Sequence, residues 1–146
     1  MLETSPLGPC SCSQIRRVAR KISSLYDSVL APSGLTVTQY SLLVNIARAG
    51  KVSRTALAAK VGMDRTTLTR NLQPLTGGKL ISASTGEDRR EHLIRLSRAG
   101  QRKVRQSLPL WEEAQRRFAS QMGQGTLREL RAVLASVEAA VARASE

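Results

Sequence analysis

The sequence predicts a mainly α-helical domain with one small β-hairpin. Three observations lead there: apolar residues recur at helical spacing along most of the chain, helix-start signals precede these segments, and only one short stretch has the apolar-polar texture of paired strands. At 146 residues there is room for one domain, or one domain with an arm. A hydrophobic fraction of 41% is enough for a core. No apolar run reaches the roughly 18 residues of a membrane span.

The first helix is predicted over about Ser13 to Leu30, where Ile15, Val18, Ile22, Leu25 and Val29 fall three and four residues apart and make one apolar stripe. Ala31-Pro32-Ser33-Gly34 ends it. Thr36, with Gln39 three residues on, is a capping box, and the helix it opens carries Leu42, Leu43 and Ile46 before Gly50. Ser53 caps a short third helix through Leu57 and Val61, Gly62 breaks it, and Asp64 caps a fourth that runs to about Thr76. Two short helices joined by a tight glycine-containing turn make a helix-turn-helix.

After Gly77-Gly78, Leu80 to Ala83 reads as a short strand and Leu93 to Leu96 as its partner, with a polar tip between them that carries Arg89 and Arg90. Ser97 caps a long helix whose stripe is Val104, Leu108, Trp111 and Phe118, with a bend expected at Pro109. Thr126 and Glu129 form a second capping box for a last helix with Leu127, Leu130, Val133 or Leu134, Val137 and Val141. The long first helix and the last two have stripes that one small domain covers only in part, so burial against a second copy is expected.

Charge narrows the function. Lys and Arg outnumber Asp and Glu 23 to 11, a formal charge of +12. Residues 51 to 105 hold thirteen of these cations against four acids, whereas residues 106 to 146 are balanced. A basic field concentrated on one central segment suits a polyanion, nucleic acid first and a membrane surface second. Enzyme chemistry has little material: His92 is the lone histidine, and there is no metal-ligand spacing and no glycine-rich phosphate loop, so neither metal nor cofactor is implied. Met1 to Pro9 lacks the basic and apolar regions of a secretory signal, and the closely spaced pair Cys10 and Cys12 suits a reducing compartment, so the cytoplasm is expected.

Several pieces in order resemble the MarR family of winged helix-turn-helix transcription regulators. They are Leu35 to Tyr40 opening the second helix, Ala56-Leu57-Ala58 in the third, Asp64 to Arg70 in the fourth, and Asp88-Arg89-Arg90 followed by Leu93-Ile94-Arg95-Leu96-Ser97 and Gly100. The resemblance spans about residues 12 to 145. It implies a homodimer made by the terminal helices, a recognition helix in the major groove and a wing reaching the minor groove. Residues 1–12 then form an arm, 13–34 and 98–146 the dimerisation region, and 35–97 the DNA-binding region. The implied partner is double-stranded DNA with an inverted repeat, bound by a protein that is a repressor.

The residues support these roles on their own chemistry. Asp64 caps the helix start, which leaves Arg65, Thr66, Thr67, Thr69 and Arg70 to face DNA. Arginine reads guanine with two hydrogen bonds, and threonine meets thymine or phosphate. Asp88 can brace Arg90 for a narrow minor groove, with Arg89 beside it, while Ser53 and Arg54 are expected on phosphate. Two departures stand out. Pro74 falls inside the recognition helix, which costs about 3 kcal/mol in a helix interior. Gly77-Gly78-Lys79 replaces a single glycine before the strand.

Two switches are open. Cys12 lies fourteen residues before Tyr26, a spacing similar to that of the branch of this family that senses organic hydroperoxides. A thiol in the first turn of a helix, with Arg16 one turn on, is held toward thiolate, which peroxide attacks to give a sulfenic acid that Cys10 can trap. Arg16 stands where that branch has a tyrosine, and a Cys-x-Cys disulfide is strained. The alternative is that Cys12 is a buried small hydrophobe at a helix end and Cys10 part of a flexible arm. The second switch is a small aromatic or carboxylate effector in the cleft between terminal helices and DNA-binding lobe, for which Tyr26, Tyr40, Trp111 and Phe118 are a thin inventory of rings. A non-specific architectural DNA-binding protein and a thiol peroxidase using Cys12 are the competing functions.

Overall fold

The computed structural model describes residues 8–85 and 92–144. In chain order these form α1 (Ser11–Leu30), a 3-10 turn (Ala31–Ser33), α2 (Val37–Ala49), β1 (Val52–Ser53), α3 (Arg54–Val61), α4 (Arg65–Gly77), β2 (Ile81–Thr85), β3 (His92–Leu96), α5 (Arg98–Met122) and α6 (Gln124–Ala144). The mainly helical class and the hairpin are as the sequence predicts. The expected hairpin is, however, two thirds of a sheet. Val52 pairs with Ile94, so β1 adds a third antiparallel strand in the order β1-β3-β2. A two-residue strand carries too little alternation to be read from sequence.

Four of the predicted helix starts form as capped ends. Thr36 Oγ1 accepts the Gln39 N–H at 3.2 Å while Gln39 Oε1 accepts the Thr36 N–H at 3.0 Å, a complete capping box. Ser53, Asp64 and Ser97 accept from the amides three residues on. The Thr126 cap does not form. Helix α6 begins at Gln124, because Gly123, at φ 74°, turns the chain directly from α5 and its carbonyl already accepts the Leu127 N–H. Likewise α1 begins at Ser11 rather than Ser13, which puts Cys12 in the helix and leaves Cys10 at its N-cap.

Neither interior proline ends its helix. Helix α4 passes Pro74 and runs to Gly77, and α5 passes Pro109 as one element. The extra glycine after α4 has a local consequence: the left-handed turn falls on Lys79, at φ 55°, and the Leu80 N–H returns to the Leu75 carbonyl.

The main core lies in the lobe formed by α2, α3, α4 and the sheet, where Leu42, Leu43, Ile46, Leu57, Leu68, Leu75 and Ile94 are buried together. A smaller cluster of Tyr26, Val29 and Ala114 joins α1 to α5, with Phe118 packed on Tyr26 at 6.4 Å between ring centroids. Trp111 stacks on Tyr40 at 6.0 Å and borders both clusters. Two polar contacts fix the junction. The Val37 N–H donates to Asp27 Oδ1 at 2.7 Å, and Lys103 Nζ donates to the Ser33 carbonyl at 2.9 Å. Among the described residues no helix is long and apolar enough to cross a membrane.

Candidate nucleic-acid interface

Helix α4 buries Leu68, Leu72 and Leu75 against the lobe and turns its other face outward. That outer face carries Arg65, Thr66, Thr69, Arg70 and Gln73, which line one shallow groove of about 360 Å³ and are all exposed. Gln73 is absent from the sequence-predicted set. Its spacing of four from Thr69 and three from Arg70 is the only signal that could have found it.

The threonines divide by their hydrogen bonds. Thr67 belongs to the cap: Asp64 Oδ1 accepts its N–H at 2.8 Å and Asp64 Oδ2 accepts its hydroxyl at 2.6 Å, with the side chain half-buried. The same bonds, hydroxyl first, hold the Asp64 carboxyl below its usual range, so the cap is charged at neutral pH. Thr69 Oγ1 donates to the Arg65 carbonyl at 2.8 Å, which leaves its methyl and lone pairs outward. Thr66 has no such tie among the bonds that order this helix, and the two arginines frame the face.

Ser53 accepts the Ala56 N–H at 3.1 Å, so it serves as a cap first, and Arg54 beside it is exposed at the start of α3. Asp88, Arg89 and Arg90 lie outside the described residues. Strands β2 and β3 bring the chain to that segment in register, with Thr85 paired to His92.

The thiols are arranged differently from expectation. Cys10 and Cys12 are both exposed, which removes the reading of Cys12 as a buried small hydrophobe. The Ser13 backbone amide, then its hydroxyl, hold the Cys10 thiol below its ordinary value, although neither reaches it in capping geometry. Tyr26 is buried against Ala114 and Phe118, and burial raises its hydroxyl above the ordinary value, an effect that the Arg131 charge reduces. Fourteen residues of continuous helix separate it from Cys12, about 21 Å along the axis. One chain therefore does not bring Tyr26 to either thiol.

Comparison with known proteins decides the family. The MarR-family model matches residues 33–91. The transcriptional regulator MosR of M. tuberculosis, solved in complex with DNA, is 35% identical, with 91% of this chain and 98% of that one aligned and a TM-score of 0.78. The chain belongs to the MarR family. An E. coli MarR mutant complexed with operator DNA has the same fold at 22% identity, with a TM-score of 0.78 over 86% of this chain and 91% of that one. The uncharacterised HTH-type transcriptional regulator YwoH of Bacillus subtilis is 28% identical over 90 residues, 62% of this chain and 66% of the relative. As a MarR-family member the protein is a winged-helix DNA-binding transcriptional regulator and not an enzyme.

Proposed function

We propose that this MarR-family protein is a cytoplasmic, homodimeric repressor that occupies an inverted repeat and leaves it when its thiols are oxidised. The observation that carries the DNA reading is the outer face of α4, where Arg65 and Arg70 stand exposed around Thr66 and Thr69 on a helix held by the charged Asp64 cap. In this reading Arg65 and Arg70 take guanine edges, Thr69 offers its methyl to thymine and Thr66 its hydroxyl to phosphate. Thr67 acts through the cap. Ser53 and Arg54 position the lobe on the backbone, and Arg89 with the Asp88-braced Arg90 enters the minor groove.

The homodimer is supported by apolar side chains that the single chain leaves outside: Ile15 and Val18 on α1, and Val133, Leu134 and Val137 on α6. A two-fold pair through these helices presents two recognition helices to two half-sites.

For the switch, an alkyl hydroperoxide transfers one oxygen to the Cys12 thiolate, giving a sulfenic acid and releasing the alcohol. The Cys10 thiolate then attacks that sulfur, and the disulfide forms with loss of hydroxide, taken up as water. Both thiols are exposed to the oxidant at the start of α1. A small carboxylate effector is less well served. The cleft between the 3-10 turn, the end of α4 and α5 is only about 280 Å³, below the usual size of ligand pockets, and Lys103 on its wall is already bonded to Ser33.

The test is fluorescence anisotropy on the DNA beside the protein's own gene against a scrambled duplex, before and after mild peroxide. A preference that collapses on oxidation and returns with reductant is expected. Equal affinity for both duplexes would instead make this an architectural DNA coater, and repeated peroxide turnover with a thiol donor a peroxidase.

A further inference from the structure

The central third of the chain carries more cations than the recognition helix, the start of α3 and the Arg89-Arg90 pair employ. Three of the remainder, Lys51, Arg95 and Arg98, converge on a groove of about 960 Å³, open to solvent, between the end of α2, the sheet and the start of α5. Ser82, Ser97 and Gln101 add to its polar wall, and among the described residues no acidic side chain lines it. All three cations are exposed.

Strand register is what gathers them. Val52 opposite Ile94 and Ser53 opposite Leu93 set Lys51 beside Arg95, and Arg95 in turn pairs with Ser82, whose hydroxyl accepts from Arg95 Nε at 3.4 Å. Like charges on neighbouring strands repel. Among the described residues the two ion pairs both lie on Glu113, far along α5, so nothing in the groove offsets this repulsion. Three cations gathered at one end of a sheet, with no carboxylate among the described residues that line the groove, lower their energy by meeting an anion.

The position of these cations says which anion. Two residues beyond Lys51, at about 3.3 Å each, the chain reaches Ser53 and then Arg54 at the exposed start of α3. The groove thus lies a few residues along the chain from the start of α3, and Ser82, Arg95 and Leu96 place it at the base of the strands that lead to Arg89 and Arg90. A duplex presents a charge about every 1.7 Å of its axis, a partner of matching extent. We propose that Lys51, Arg95 and Arg98 form a second phosphate clamp that grips the DNA backbone beside the wing. This rests on the DNA-binding reading above. The clamp positions the duplex and does not read bases.

The test is operator affinity across a salt series for the full-length protein and for the variant Lys51→Gln, Arg95→Gln, Arg98→Gln, with thermal unfolding confirming that the exposed replacements leave the fold intact. The plot of log K against log salt should become shallower by about 2 to 4, one or two phosphates on each half-site at about 0.9 apiece. The ratio of operator to scrambled affinity should stay unchanged. Single neutral methylphosphonate linkages should weaken the wild type but not the variant at the gripped phosphates. An unchanged slope, or no such linkage, overturns the clamp. Saturable binding of inorganic pyrophosphate to the wild type alone, with unchanged DNA slope, would assign the groove to a free anion and overturn it as well. Failure of the regulator reading looks different: the wild type itself would show no operator preference, while its salt slope could still be measured on any duplex.

Discussion

Leu42, Leu43, Ile46, Leu57, Leu68 and Ile94, all within residues 35–97, are 2% exposed or less, whereas Ile15, Val18, Val133 and Leu134 on the terminal helices are 47% exposed or more. Both regions arise from the same kind of apolar stripe at helical spacing. In the lobe, three short helices and three strands surround a common centre, so each stripe finds cover within the chain. The terminal helices are long, and the buried cluster that joins α1 to α5 is small: Tyr26, Val29 and Ala114, with Ile22, Leu25, Trp111 and Phe118 partly buried around it. Periodicity therefore tells which face of a helix is apolar but not what covers it. That information comes from the number of elements packed around it.

The contrast can be broken most severely at the lobe's edge. A Cβ on Gly100 would sit 2.0 Å from the Leu80 carbonyl oxygen, backbone against backbone. Gly100→Ala should cost about 3 kcal/mol in denaturant unfolding; a loss under about 1 kcal/mol would mean that α5 can lift from the sheet. On the other side of the contrast, Val133→Asp with Val137→Asp should raise the dimer dissociation constant by about 100-fold or more, about 2.7 kcal/mol, while leaving lobe unfolding unchanged. Sedimentation that shows an unaltered dimer would remove α6 from the interface. Arg70→Ala should cost about 1 to 3 kcal/mol of operator discrimination without loss of stability, measured by competition against scrambled duplex.

Smaller effects sharpen the lobe's account. Thr36→Ala should lower stability by about 1 kcal/mol, since it opens the capping box of α2. The Asp64 cap gives the direction of a pH effect. Its folded-state value lies below the ordinary one, so its contribution is complete above about pH 4 and is lost as pH falls through the depressed folded value. Titration of the Asp64 carboxyl by NMR should find no transition between pH 5 and 8, and operator affinity should not vary with this group there. A midpoint at or above the ordinary aspartate value would show that Thr67 does not hold the cap.

What could be read in advance follows the range of the interactions. Thr36, Ser53, Asp64 and Ser97 bond amides three residues away, and their helices start where the sequence says. The outer face of α4 was legible for the same reason, since Arg65, Thr69 and Arg70 are set by helical spacing alone, and Gln73 needed only one further turn. Thr126 misled because Gly123 upstream had already redirected the chain. Pro74 and Pro109 each lie inside a helix that continues past them, as the apolar spacing on either side of each proline indicates. The groove of Lys51, Arg95 and Arg98 was illegible, since its members meet through strand register rather than through any local repeat.

The close seat of Gly100 on Leu80, together with the Lys103 bond to Ser33, makes α5 a lever whose fulcrum is the base of the wing. Its 25 residues are about 37 Å long, so a tilt of about 5° at that seat displaces the far end by about 3 Å. Movements too small to disturb the lobe's core would thus be amplified at the terminal helices. Run in reverse, a shift of a few ångströms there would return to the base of the wing as a slight rotation.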